Sequence, residues 1–162
     1  MKKVPAALVL LLSTLASFAQ NDGAVVRWKT VVGVITAPGV NNPVAGIPGG
    51  LLPWSATGGK ARVNLANGDV GFEVEGLVLI GGNVIGTRGD LTQVKGTLVC
   101  NPGTGTQAVI DTPAVPFSVQ GDAEFVGNLG SVPTPCANPL FLIRLPANNR
   151  WIAAGAVRVI GD

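Results

Sequence analysis

The chain has 162 residues, enough for one ordinary domain with a hydrophobic core, and 47% of them are hydrophobic. It contains no His and no Tyr, which excludes catalytic triads that use histidine and metal sites built on histidine. The formal net charge of +2 is too small to favour binding to nucleic acid.

The first nineteen residues predict a secretory signal peptide. Lys2 and Lys3 give a positive start, residues 4–12 form an apolar run too short to span a bilayer, and residues 17–19 form a small-x-small cleavage site. Cleavage of residues 1–19 leaves residues 20–162 as a single domain. Loss of the two lysines lowers the Lys and Arg count from 11 to 9, which equals the 9 Asp and Glu. We therefore expect a neutral mature chain without a transmembrane span, secreted or held in the periplasm or at the cell surface.

The rest of the chain consists of short apolar or alternating runs separated by Gly, Pro, Asn and Asp. This pattern is typical of an all-β domain. We predict an antiparallel β-sandwich or flattened barrel of about eight or nine strands with one disulfide. The predicted strands are 24–35, 60–65, 69–78, 91–100, 107–110, 117–119, 123–129, 140–145 and 151–160.

One hairpin can be predicted to the residue. Asn67-Gly68 suits a two-residue type I′ turn, because both positions of that turn need a positive φ. The strands on either side would then share one apolar face and place opposite charges on the other. The predicted opposite pairs are Leu65 with Val70, Arg62 with Glu73, and Lys60 with Glu75.

A long Pro- and Gly-rich segment, residues 36–59, separates the first two predicted strands. It carries Leu51, Leu52 and Trp54, and long segments without their own structure are uncommon. Two interpretations remain open. These apolar side chains cover one end of the core, or the segment contacts a ligand or partner with Trp54 as the candidate contact residue.

The charges are unevenly distributed along the chain. Residues 66–125 contain seven acidic residues and only two basic ones, whereas the basic residues after position 125 are Arg144, Arg150 and Arg158. Either acidic and basic strands pair across the sheet, or the arginines bind an anionic ligand. Arg144 and Arg158 are the candidate ligand contacts in the second case.

Cys100 and Cys136 are expected to form a disulfide, because thiols of an exported chain become oxidised. That pairing leaves no thiolate for catalysis or metal binding. Two carboxylate pairs, Glu73 with Glu75 and Asp122 with Glu124, have the two-residue spacing that puts side chains on one face of a strand. They support a carboxylate-dependent hydrolase only as an alternative, and we expect no catalytic residue, metal or cofactor.

Residues 58–65 and 70–77 together resemble the chordin-type (CHRD) repeat of secreted bacterial proteins. Both show a small-residue strand, a short turn and a strand that ends in Gly-Leu, here Gly76-Leu77. The resemblance covers residues 31–100 and implies an extracytoplasmic β-sandwich. The histidine-containing motif that follows Gly-Leu in the family has no counterpart here, so its metal or ligand role does not transfer.

Together these observations predict an exported, non-catalytic β-domain that acts as a binding, interaction or structural module with a protein or glycan partner. The alternative is a domain that binds a small molecule or glycan on the sheet face or at the barrel mouth.

Overall fold

The structure is a computed structural model that describes residues 25–161. The predicted signal peptide, residues 1–19, lies outside the described residues. Within residues 25–161 the chain forms eleven β-strands and no helix. The strands are β1 (Val25–Gly33), β2 (Trp54–Ser55), β3 (Gly58–Asn64), β4 (Asp69–Glu75), β5 (Val78–Leu79), β6 (Gln93–Cys100), β7 (Ala108–Asp111), β8 (Val115–Pro116), β9 (Ala123–Asn128), β10 (Leu140–Arg144) and β11 (Trp151–Ile160).

Eight of the strands form a curled antiparallel sheet in the order β7-β6-β10-β11-β1-β3-β4-β9. Strand β8 pairs with β6 beside β7, and β2 pairs with β5 in a small second sheet. The predicted all-β fold class is confirmed. No helix among residues 25–161 is long and apolar enough to cross a membrane.

The predicted strand at 117–119 is wrong. The strand at this place is β8, Val115–Pro116, and Phe117 follows it as a buried core residue that is 3% exposed. Ser118 then begins a tight turn, in which its N–H donates to the carbonyl of Asp122 at 2.9 Å. The turn chemistry of Ser118 and Gly121 ends the extended chain earlier than hydrophobicity alone indicates.

The predicted register of the β3–β4 hairpin is wrong by two residues. Val63 pairs with Val70, and Lys60 pairs with Glu73. The connection is a four-residue loop, because the side chain of Asn64 accepts a hydrogen bond from the Ala66 N–H at 2.9 Å. A shift of two residues leaves every side chain on its predicted face, so the apolar face of the hairpin is retained.

An aromatic cluster fills the inside of the curled sheet. The ring of Phe141 lies 5.5 Å from Trp28 and 5.7 Å from Phe72, centre to centre. Glycines provide the room for these rings, since a Cβ at Gly96 would lie 2.8 Å from both phenylalanines and one at Gly155 would lie 2.6 Å from Trp28. Strand positions without a side chain therefore shape this core.

The segment from residue 36 to residue 53 is attached to the sheet. The indole N–H of Trp151 donates to the carbonyl of Asn42 at 2.9 Å, and the Gly50 N–H donates to the carbonyl of Trp151 at 2.8 Å. Ile47 is buried, whereas Leu51 stays 42% exposed. The segment thus covers part of the core, as the first interpretation of this segment expects.

The predicted disulfide is present. Cys100, at the end of β6, is bonded to Cys136 with a Cα–Cα distance of 4.7 Å. Asn101 reinforces the link, because its side-chain oxygen accepts a hydrogen bond from the Ala137 N–H at 2.7 Å and its amide donates to the Pro135 carbonyl at 3.0 Å. The segment that leads into β10 is therefore fixed to the end of β6.

We expect Gly96→Ala to destabilise the domain by about 1–3 kcal/mol, because the new methyl group overlaps two packed aromatic rings. Urea unfolding measures this change. The matched control is Gly105→Ala, where a Cβ would meet nothing within 4 Å. Equal unfolding free energies for the two variants would show that the rings tolerate the added methyl group.

Replacing both cysteines by alanine should lower the unfolding free energy by about 3–4 kcal/mol, because the bond closes a long loop in the unfolded chain. The sequence separation is 36 residues. Mass spectrometry under non-reducing conditions checks the bond itself. Two free thiols in exported protein would contradict the pairing.

Candidate functional site

A groove of about 580 Å³ runs across the outer face of the curled sheet, over β1, β3, β4 and β9. We call it the sheet-face groove. Its floor includes Gly71, where the missing side chain leaves space beside Arg62; a Cβ at Gly71 would lie 3.4 Å from Nε of that arginine. The side chains that border the groove are Arg27, Lys29, Lys60, Arg62, Glu73, Glu124 and Val126.

Two arginines of the groove lie directly opposite each other. Arg27 on β1 pairs in register with Arg62 on β3, so both side chains leave the sheet on the same face. Like charges at directly opposite positions destabilise a sheet. One guanidinium N–H of Arg27 donates to the carbonyl of Gly161, whereas Arg62 is exposed and has no ion pair within residues 25–161. The pair therefore has donors available to an anion.

A second basic pair lies two residues along the same strands. Lys29 is exposed on β1, and Lys60 of β3 forms an ion pair with Glu73 at 2.8 Å. The hydrogen bond and charge of Glu73 raise the pKa of Lys60 above its usual value, so the amine stays protonated. Both partners are largely exposed, at 67% and 41%, so the pair is open to exchange with a ligand.

The acidic side of the groove differs from the predicted carboxylate pairs. Glu73 on β4 lies opposite Glu124 on β9, a pairing that sequence spacing could not indicate. Asp122 is instead held in a turn, where it accepts a hydrogen bond from the Gly76 N–H at 2.9 Å. Glu75 lies opposite Gly58 at the start of β3. The structure therefore brings together one member of each predicted pair.

Arg144, a predicted ligand contact, is held inside a polar cluster. It is 6% exposed, its NH1 donates to Asp111 at 2.9 Å, and its Nε donates to the carbonyl of Asn149 at 2.9 Å. Lys95 completes the cluster through 2.6 Å and 2.7 Å contacts with the side chains of Asp111 and Asn149. This arrangement supports the interpretation in which acidic and basic strands pair across the sheet.

The carboxylate of Asp111 is the centre of this cluster. Burial raises its pKa, but hydrogen bonds from Lys95 and Thr97 together with the charges of Arg144 and Lys95 outweigh burial, and the net pKa lies below the usual 3.8. The 2.6 Å hydrogen bond from Thr97 shows how closely the ionised form is held.

Neither of the other two predicted contact residues lines the sheet-face groove, although Arg158 lies opposite Trp28 on the strand next to β1. Arg158 on β11 is exposed and donates to the carbonyl of Pro139 at 3.0 Å. Trp54 is 3% exposed, packs against Phe117 at 6.4 Å, and forms part of the wall of a second cavity of about 300 Å³. The structure thus places Trp54, Arg144 and Arg158 at three separate locations.

Sequence reasoning did not identify Arg27 and Arg62 as site residues. Their adjacency depends on the pairing of β1 with β3 across the long 36–53 segment. Within residues 25–161 no group of three or more Cys, Asp or Glu side chains is arranged to hold a metal ion. Comparisons of the chain with family models, curated proteins and solved structures gave no match.

Asp111→Asn should destabilise the domain at neutral pH and less in acid. Because the folded-state pKa of Asp111 is lowered, its ionised form stabilises the fold above the unfolded value of 3.8, and that contribution is lost as pH falls through the folded value. Urea unfolding of both proteins between about pH 3 and pH 7 measures the difference. A difference that stays constant over this range would contradict the role of the charge.

Proposed function

We propose that the protein is an exported, non-catalytic binding module that holds a linear acidic glycan in the sheet-face groove. The observation that carries the proposal is the cross-strand arginine pair, Arg27 and Arg62. Two like charges in register cost free energy in the unliganded sheet, and an anion between them adds two attractions that outweigh the repulsion. Guanidinium groups also bind carboxylates and sulfates through two parallel hydrogen bonds.

The arrangement of the bases favours a polymer over a small anion. Lys29 and Lys60 lie two residues from the arginines on the same two strands, so this second basic pair lies about 7 Å from the arginine pair. We call the two pairs, Arg27 with Arg62 and Lys29 with Lys60, the basic rungs. A chain with repeated acid groups contacts both rungs, whereas a small anion occupies only one. The ligand path in this proposal runs along β1 and β3.

The remaining lining residues suit a sugar chain at the side of this path. Val126, which is 79% exposed, offers an apolar surface for the C–H faces of sugar rings. Glu73 and Glu124 lie on the β4 and β9 side, and their charges repel an acidic chain from that side. The acids therefore help to hold the ligand over the basic rungs.

Export and the absence of catalysis are parts of this proposal. The disulfide between Cys100 and Cys136 suits an oxidising compartment outside the cytoplasm, and the predicted signal peptide agrees with it. The resemblance to chordin-type secreted domains supports the same location. Glu73 is in an exposed ion pair with Lys60, which is a poor environment for a general acid of a glycosidase.

The test is isothermal titration calorimetry of the mature protein with polygalacturonate, with neutral amylose as the reference polymer. We expect binding to polygalacturonate only, weakened by added NaCl because the groove is open to solvent. Arg62→Gln should weaken binding about tenfold or more, since hydrogen bonds between charged groups are lost.

The matched control is Arg158→Gln, which removes an exposed arginine outside the groove and should leave the affinity unchanged. Equal binding of amylose, or equal losses in the two variants, would contradict the proposal. Binding of polyglutamate without binding of polygalacturonate would also contradict it and would assign the groove to an acidic protein partner.

A further inference from the structure

The second cavity lies at one end of the curled sheet, where three chain segments meet. These are the covering segment at residues 50–54, the turn-rich stretch at 79–91 and the β10–β11 connection at 145–152. We call this cavity, of about 300 Å³, the mouth pocket. Its walls are mainly apolar and include Leu52, Trp54, Leu79, Leu145 and Ile152.

Arg88 provides the unusual feature of this pocket. Its Nε is buried and has no hydrogen-bond partner within residues 25–161, while its NH1 donates to the carbonyl of Leu91. A buried guanidinium N–H without an acceptor costs free energy, and such groups are rare in folded proteins. The unliganded pocket therefore leaves part of this guanidinium unsatisfied.

A second arginine lines the same pocket. Arg150 donates through NH1 to the carbonyl of Gly49 at 2.6 Å, and this bond fixes the position of its guanidinium. The acid of the pocket is Asp90, which is exposed. Two positive groups beside apolar walls attract an anion more strongly than the same groups in open water, because the local dielectric constant is lower.

Gly50 is a tightly packed part of the pocket wall. A Cβ at Gly50 would lie 3.2 Å from Cγ2 of Ile152 and 3.5 Å from the indole nitrogen of Trp54. Gly50 also donates its N–H to the carbonyl of Trp151 at 2.8 Å, so its backbone is fixed by the sheet. The part of the pocket wall formed by Gly50, Trp54 and Ile152 is therefore closely packed and held in place by the sheet.

From these observations we propose that the mouth pocket binds a small monocarboxylic acid with an apolar body. The carboxylate pairs with Arg88 and Arg150, and a small rotation of the Arg88 side chain toward the cavity gives its Nε an acceptor. The apolar body lies against Leu51, Leu52 and Leu91, which line the pocket and are exposed or half-buried. This site is separate from the sheet-face groove and does not depend on the glycan proposal.

Octanoate is the probe. The references are 1-octanol, which keeps the alkyl chain without the carboxylate, and acetate, which keeps the carboxylate without the long alkyl chain. Calorimetry of the mature protein should show octanoate binding at least tenfold tighter than either reference. Trp54 lines the pocket, so octanoate should also change tryptophan fluorescence, and Trp54→Phe should reduce that change. Equal affinities for octanoate and 1-octanol, or no detectable octanoate binding, would overturn the proposal.

The decisive variant is Arg88→Met, which keeps the length of the side chain and removes the charge. We expect at least a tenfold loss of octanoate affinity, with the thermal midpoint of the unliganded protein unchanged within a few degrees. Arg150→Met tests the second arginine of the pocket in the same way, and it replaces Arg88→Met as the test if that variant fails to fold. Arg62→Met is the matched control in the sheet-face groove and should bind octanoate as the wild type does; an equal loss there would overturn the assignment.

Discussion

The contact between Phe72 and Phe141 determines the shape of the molecule. Phe72 lies on β4 and Phe141 on β10, and the strands β11, β1 and β3 lie between them in the sheet. Rings whose centres are 5.7 Å apart across three intervening strands require the sheet to curl until its inner faces meet. Gly96 on β6 allows this approach, because any side chain there would fill the space of the rings. One aromatic contact and one glycine thus connect the two halves of the sheet.

The curl also determines where charge can lie. Its inside is apolar, so each alternating strand directs its charged residues outward, as Arg27 and Arg62 show. On β6 and β10 both faces are largely buried, so the buried Arg144 of β10 needs a partner, and Asp111 of the edge strand β7 provides it. Over β1, β3, β4 and β9 the outer face remains open. The open part of the sheet therefore carries the groove, and the covered part carries the closed polar cluster.

The sequence predicted the features that depend on neighbouring residues. Strand alternation identified the inward and outward faces, and the two cysteines of the chain identified the disulfide. The β3–β4 register was missed because the Asn64 side chain formed a local hydrogen bond that competes with the tight turn. The charge pairs of the groove were missed for another reason. Glu73 and Glu75 are neighbours on one strand in any fold, but Glu124 lies beside Glu73 only because β9 pairs with β4, and that choice is made by long-range packing.

Both proposed sites bind their ligand through arginine, but the arginines lie in different surroundings. Arg62 is exposed in an open groove, where water and salt screen its charge, so useful affinity there needs several repeated contacts. Arg88 is partly buried among apolar side chains, where one well-placed anion suffices because screening is weak. A polymer with many acid groups suits the first environment, and a single carboxylate with an apolar body suits the second. The binding group is a guanidinium in both cases, so the difference in ligand class follows from the burial of that group and from the side chains around it.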